Sequence, residues 1–367
     1  MRLNIYEIDT NHFHDSYRRG HYLFRMKRHL ANLIAVLIAL SAILANAGAS
    51  SAPENRYRFL KEIHIGGEGG WDYLSIDSAA HRLYVTHATR IVVIDTDKDS
   101  IVGEIADTPG VHGFALAPEL GRGFSSNGKE AKVSIVDLKT LKTVAKVSTS
   151  ENPDAILYEP QRQEVYAFNG RGKSATVFEA KTGKVVATIP LPGKPEFATA
   201  DSRAGFVYGN IEDKNEVAVI ETETHRLAET WPTTPGEEPS AMALDLAHHR
   251  LFIGCGNQLM LMMDSTNGKI VASIPIGKEV DAAVFEAATQ LVFSSNGEGT
   301  VTIARETSPE KLELLQTLST EASARTMALD PLSHKIYLMS AKIGPVQEKH
   351  PEVVNGTQKI LVYGPEK

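Results

Sequence analysis

One unit is written seven times in this chain of 367 residues, and that recurrence restricts the fold more than any other feature. Each copy passes from a small or apolar run, through an acidic or Pro-bearing turn, to a basic or apolar residue and then an aromatic. The aromatics are Tyr84, Phe124, Tyr166, Tyr208, Phe252, Phe293 and Tyr337, spaced 40, 42, 42, 44, 41 and 44 residues apart. This period excludes helical repeats of roughly 33 or 34 residues.

Four strand-like runs follow one another within a unit. In the first they are Tyr73–Ile76, Arg82–Thr86, Ile91–Asp95 and Ile101–Ile105, rich in β-branched and aromatic residues. Between the third and fourth runs sit turns such as 137–140, 179–183 and 264–268, where Asp137, Glu179 or Asp264 can accept turn N–H groups and Gly183 or Gly268 takes a positive φ. The last unit lacks a fourth run after Lys359–Tyr363, whereas an orphan run, Arg58–Ile65, precedes the first. A ring removes both exposed edges at once. The expected fold is therefore all-β: a seven-bladed β-propeller of four-stranded antiparallel blades, closed by the N-terminal strand in blade 7.

Composition fits one such domain. At 42% hydrophobic and 23% charged with a single Cys, the chain is neither a disordered tail nor a disulfide scaffold. Residues 26–52 read as a secretory signal: Lys27, Arg28 and His29 give a basic start, Leu30–Leu44 an apolar core, and Ala45-Asn46-Ala47 or Ala47-Gly48-Ala49 a cleavage site. Residues 1–25 then read as a non-native or disordered extension ahead of a translation start at Met26, and residues 53–367 as the propeller. The mature chain is expected to be periplasmic or secreted, monomeric and without a membrane span. Residues 1–52 hold six of the 38 Lys/Arg and three of the 45 Asp/Glu, which leaves a net charge of −10 on the remainder. A body that acidic argues against nucleic acid as a partner.

From about Tyr57 to Tyr363 the sequence resembles the YVTN-repeat β-propeller family, the secreted YncE-like proteins. The resemblance is carried by Tyr84-Val85-Thr86-His87 followed by Val93-Ile94-Asp95-Thr96, with His87 in place of the signature Asn. Other copies drift to Phe124-Ser125-Ser126-Asn127, Tyr166-Ala167-Phe168-Asn169 and Phe252-Ile253-Gly254-Cys255. The resemblance implies the fold and leaves the function open, since similar propellers serve as binding scaffolds, as lactonases or lyases, and as domains of redox enzymes.

Chemistry is sought where the topology gathers distant residues. Five positions before each turn anchor the copies read Asp72, His112, Asp154, Glu196, Ser240, Asp281 and Arg325, expected to ring one mouth of the channel. At the end of strand two they read His87, Asn127, Asn169, Ile211, Cys255, Asn296 and Ser340, expected outside that ring on the same face. Asp72, His112, Asp154, Glu196, Asp281, Arg325 and Trp71 are the candidate ligand-binding residues. His87, His112, Asp72 and Asp154 are the candidate ligands of a divalent metal, the one cofactor these residues could hold. Trp71 and Trp231 are both placed near the starts of first strands. The Gly66-Gly67-Glu68-Gly69-Gly70 run is read as a flexible crossing between blades, and His248-His249 and Ser333-His334 as solvated hairpin residues on the opposite face.

The function expected from these features is non-catalytic binding of a protein or small polar ligand at the mouth, with no catalytic residue assigned. Two alternatives are a metal-assisted enzyme of lactonase or lyase type, using mouth carboxylates and His, and a redox-associated metal or cofactor carrier. The last is disfavoured by the absence of CxxCH and of any Cys/His cluster.

Overall fold

Strands two and three of each unit are almost continuously apolar or small, which suits strands covered on both faces. The computed structural model, which describes residues 56–347 and 350–366, shows what covers them. In blade 1 the strands are β2 (Trp71–Asp77), β3 (Arg82–His87), β4 (Arg90–Asp95) and β5 (Ser100–Ile105), hydrogen-bonded in that order from the channel outward. β3 and β4 are buried between the neighbouring blades, β2 is half-buried against the channel, and β5 is largely exposed on the rim. Six sheets repeat this order and a seventh completes the ring. The signal segment and the extension ahead of it lie outside the described residues. Among the described residues no helix is long and apolar enough to cross a membrane.

The seventh sheet carries the closure. β1 (Tyr57–His64) is its outermost strand and pairs antiparallel with Lys359–Pro365, from Tyr57 opposite Pro365 to His64 opposite Lys359. The last unit therefore borrows its fourth strand from the start of the propeller, as the sequence implies.

The repeated aromatics are the wedges between blades. All seven are at most 1% exposed. Tyr84 packs on Phe114 of the next blade with ring centroids 5.0 Å apart, and Phe252 on Phe285 at 5.1 Å. Tyr208 adds a polar bond across the seam, its hydroxyl donating to the Ser265 carbonyl at 2.9 Å. Tyr208→Phe keeps the packing and loses that bond, so denaturant unfolding should show a loss of about 1 kcal/mol. An unchanged midpoint would mean that the bond adds nothing to the seam.

Two of the three hairpin turns hold as read, and in the third Glu179 accepts the Thr182 hydroxyl at 2.7 Å in place of an N–H. Asp137 accepts the N–H groups of Lys139 and Thr140 at 3.1 and 2.8 Å, and Asp264 that of Thr266 at 2.8 Å. Gly268 sits at φ 72°, and a Cβ there would stand 2.3 Å from the Trp231 ring. Trp231 itself corrects one expectation. It closes the fourth strand of blade 4, Arg226–Pro232, where it packs on Tyr208, and belongs to the blade packing, not to a first strand.

Candidate functional site

A local irregularity builds the mouth. In six blades the pairing between strands one and two breaks directly after the first residue of strand one, for example after Trp71, Val111, Pro153 and Pro195. The next residue has no ladder partner, which is how a bulge re-aims a side chain. Those next residues are Asp72, His112, Asp154, Glu196, Ser240 and Asp281, the column singled out by the repeat. In blade 7 Arg325 precedes the shortened strand Met327–Asp330. All but His112 line one cavity of about 380 Å³, together with Tyr73, Lys194, Glu212, Glu238 and Glu279.

His112 bridges two of the carboxylates. Its Nδ1 lies 2.7 Å from Asp72 Oδ2 and 3.6 Å from Asp154 Oδ1, and one ligand atom from each of the three residues lies within 4.8 Å of the others. Arg325 Nε stands 3.3 Å from Asp281 Oδ2. Lys194 pairs with Glu196 and, at 2.6 Å, with Glu212. Seven carboxylates thus face one cavity against Lys194, Arg325 and the His112 ring.

Crowding shows in the protonation equilibria. Burial, then the Asp72 charge, pushes Asp154 up to about 6. Burial, then the Asp154 charge, pushes Glu196 up to about 8. Burial also raises Asp72 and Asp281. For His112 burial disfavours the cation, but the hydrogen bond to Asp72 and the charges of Asp154, Asp72 and Glu196 outweigh it and raise the ring to about 9.

His87 corrects the expected metal set. It stands apart from the Asp72–His112–Asp154 group, 1% exposed at the end of β3, with Gly67 against its ring. Burial, then the Arg90 charge, lowers its pKa and favours the neutral ring. The rest of that column is equally buried, so it forms no outer ring on the face: Asn127, Asn169, Ile211, Cys255, Asn296 and Ser340 are all 0% exposed. Asn127, Asn169 and Asn296 use their Nδ2 groups to bind Ser134, Thr176 and Thr302 of the adjoining strand.

Beside the acidic cavity lies a less polar one of about 620 Å³, lined by Trp71, Asp281, Arg325 and, from the blade 7 insertion, Ile343 and Val353. The stretch 341–358 between strands two and three of blade 7 forms a hairpin, Ile343–Gln347 with His350–Val353, whose Ile343 and Val353 reach this cavity beside the mouth residues Asp281 and Arg325. Its base is tied to the glycine run: Ile65 and Gly66 N–H donate to Gln358 O at 2.9 and 3.0 Å, and Gly356 N–H to Gly67 O at 2.7 Å. That run is therefore a hydrogen-bonded anchor for the insertion, not a loose crossing. A larger groove of about 690 Å³ between blades 3 and 4 is walled by Arg162, Arg203, Glu221 and Glu223, side chains of both signs.

No family model and no curated protein matches the chain. Among solved structures it is similar to Kuenenia stuttgartiensis hydrazine synthase, with a TM-score of 0.65, 13% identity, and coverage of 77% of this chain and 96% of that one. At that identity the likeness speaks for the fold alone. This chain is a seven-bladed β-propeller. A fold of this kind does not by itself fix a function.

Proposed function

We propose that the chain is an exported propeller of the YVTN-repeat type whose mouth binds a divalent cation or the cationic group of a small polar ligand, without covalent chemistry. The observation that carries this reading is the approach of Asp72 Oδ2 and Asp154 Oδ1 to His112 Nδ1, at 2.7 and 3.6 Å, with one ligand atom of each residue within 4.8 Å of the others, beside a cavity that Asp72, Asp154, Glu196 and Asp281 all line. Carboxylates so crowded repel one another unless they hold protons or a cation joins them. A metal ion there would displace the His112 proton, so its affinity should rise with pH. Trp71 and the insertion hairpin beside the acidic cavity would give an apolar wall to a ligand larger than an ion.

A thermal-shift titration against Mn²⁺, Zn²⁺, Ca²⁺ and primary amines tests the reading. A ligand at 100 times its dissociation constant adds about 2.7 kcal/mol to stability, and Asp72→Asn/Asp154→Asn should lose that response while remaining folded. A response that survives the double substitution would move the ligand elsewhere. A flat wild-type response would remove the small-ligand reading and leave a protein partner.

A second reading, metal-assisted lactone hydrolysis or elimination, draws on Glu196, which faces the cavity and whose carboxyl is raised to about 8 by burial and then by the Asp154 charge. It requires metal-dependent turnover of lactones that Glu196→Gln abolishes.

A further inference from the structure

We propose that the seam between blades 5 and 6, on the face away from the mouth, holds a second divalent-metal site, formed by Asp245, His248 and Glu306. Asp245 ends the first strand of blade 5, Pro239–Asp245, and His248 lies in the following turn. Glu306 comes from the third strand of blade 6, Thr300–Ser308, which runs nine residues where the corresponding strands of blades 1 to 5 run six. One ligand atom from each residue lies within 4.8 Å of the others.

The repeat singles out Glu306. Its N–H bonds to Gln290 O, the link that Thr96, Leu138, Ala180, Thr222 and Ser265 make at the same place in blades 1 to 5. Small or apolar residues fill that position in those blades, and only here does it carry a charge. The other His–acid contacts of this face are simple pairs, such as His334 with Glu286 at 2.5 Å and His225 with Glu164 at 2.9 Å. At Asp245–His248 a second carboxylate is added, with a side chain that is 0% exposed.

What these groups lack is as telling as where they are. Neither oxygen of Glu306 has a hydrogen-bond partner, nor has Asp245 Oδ2. His248 Nδ1 stands 2.7 Å from Asp245 Oδ2 and 3.2 Å from Glu306 Oε1, at ion-pair distance from both but without an aligned hydrogen bond to either. Even with a proton shared between Asp245 and Glu306, and with His248 paired to Asp245, one buried Glu306 oxygen keeps no partner. A cation placed among them satisfies all three residues, and bonds of about 2.0–2.2 Å put ligand atoms roughly 3 Å apart, close to the 2.7 and 3.2 Å at which His248 Nδ1 meets the two carboxylates.

The set is also held in place. Asp245 Oδ1 accepts the Ala247 N–H at 2.9 Å, and Arg250 Nη1 donates to the His248 and His249 carbonyls at 2.9 Å each, pinning the turn. The Arg250 guanidinium also reaches Asp264 at 3.2 Å and Pro309 O at 2.5 Å. Two carboxylates with one imidazole suit Zn²⁺ or a similar first-row ion more than Ca²⁺. His248, with a side chain 38% exposed, provides the way in. Bound there, the ion would tie blade 5 to blade 6.

Equilibrium dialysis of the full chain against Zn²⁺ at pH 7.5 tests the proposal. Asp245→Asn/Glu306→Gln should lose one equivalent, with affinity at that site falling by more than about 100-fold. His248→Ala, a change in an exposed turn, should lose the same equivalent and guards against misfolding of the double variant. Asp72→Asn/Asp154→Asn should keep it, whether or not the mouth reading stands. Wild-type binding by both seam variants, or no Zn²⁺ retained by the Asp72→Asn/Asp154→Asn protein, would overturn the seam site.

Discussion

A chain lacking residues 56–65 will no longer unfold as one cooperative ring. β1 contributes Tyr57, 2% exposed and packed edge-on against Phe293 at 5.0 Å, and Ile63, 6% exposed. It also pairs seven residues with Lys359–Pro365, and Tyr57 N–H and O both bond to Gln316 of blade 6 at 2.8 Å. Burial of the two side chains stabilises by about 2–3 kcal/mol each, and the abandoned strand would keep its own N–H and C=O groups unpaired at an edge. A loss of at least about 5 kcal/mol follows, comparable with the whole stability of many domains. Denaturant unfolding followed by fluorescence and by circular dichroism should show the two signals separating, with the midpoint far below wild type. Coincident transitions at the wild-type midpoint would deny that closure holds the ring.

The second large effect is a dependence on pH. In metal-free buffer, stability should fall as pH rises from about 5 to 8, and Glu196→Gln should flatten much of that fall. Glu196 is raised from 4.5 to about 8 in the folded protein, so the fold holds its proton more tightly than the unfolded chain does. Its contribution is complete below pH 4.5 and lost as pH rises through 8. Asp154, raised from 3.8 to about 6, acts in the same direction, as does His112, raised from 6.5 to about 9. The full shift of Glu196 would exceed 4 kcal/mol, but its side chain is 18% exposed and shares Lys194 with Glu212, so about 1–3 kcal/mol is expected at pH 8. At pH 4.5 wild type and variant should agree. Stability curves that run parallel from pH 4.5 to 8 would show that ionised Glu196 costs the fold nothing.

The blades were legible in the sequence because each must bury the same aromatic in the same seam, and that demand repeats at a fixed period. The ring Asp72, His112, Asp154, Glu196 and Asp281 was legible for a related reason: one bulge, repeated, turns one column of the repeat toward the channel. Lys194, Glu212, Glu238 and Glu279 were not, because they come from the crossings between strands. There the repeat varies, and a charge reads as a solvated loop residue. Glu212 did leave a signal, since it follows the end of strand two, where other copies carry Ala88, Gly128, Gly170, Gly256, Gly297 and Ala341. His87 was misplaced because residues ending strand two turn into the seam, a matter of register that residue type does not report. The His248 turn looked solvated because its buried partner, Glu306, lies 58 residues further along the chain.

The closed seam also makes the blade order cyclic. Glu366 N–H donates to Arg56 O at 2.7 Å, so the ring begins and ends at a single point on the outer edge of blade 7, on the face away from the mouth. Both ends therefore lie on the face opposite the mouth. Joining them and cutting the chain at another crossing would relocate the ends from blade to blade without changing which strand lies beside which.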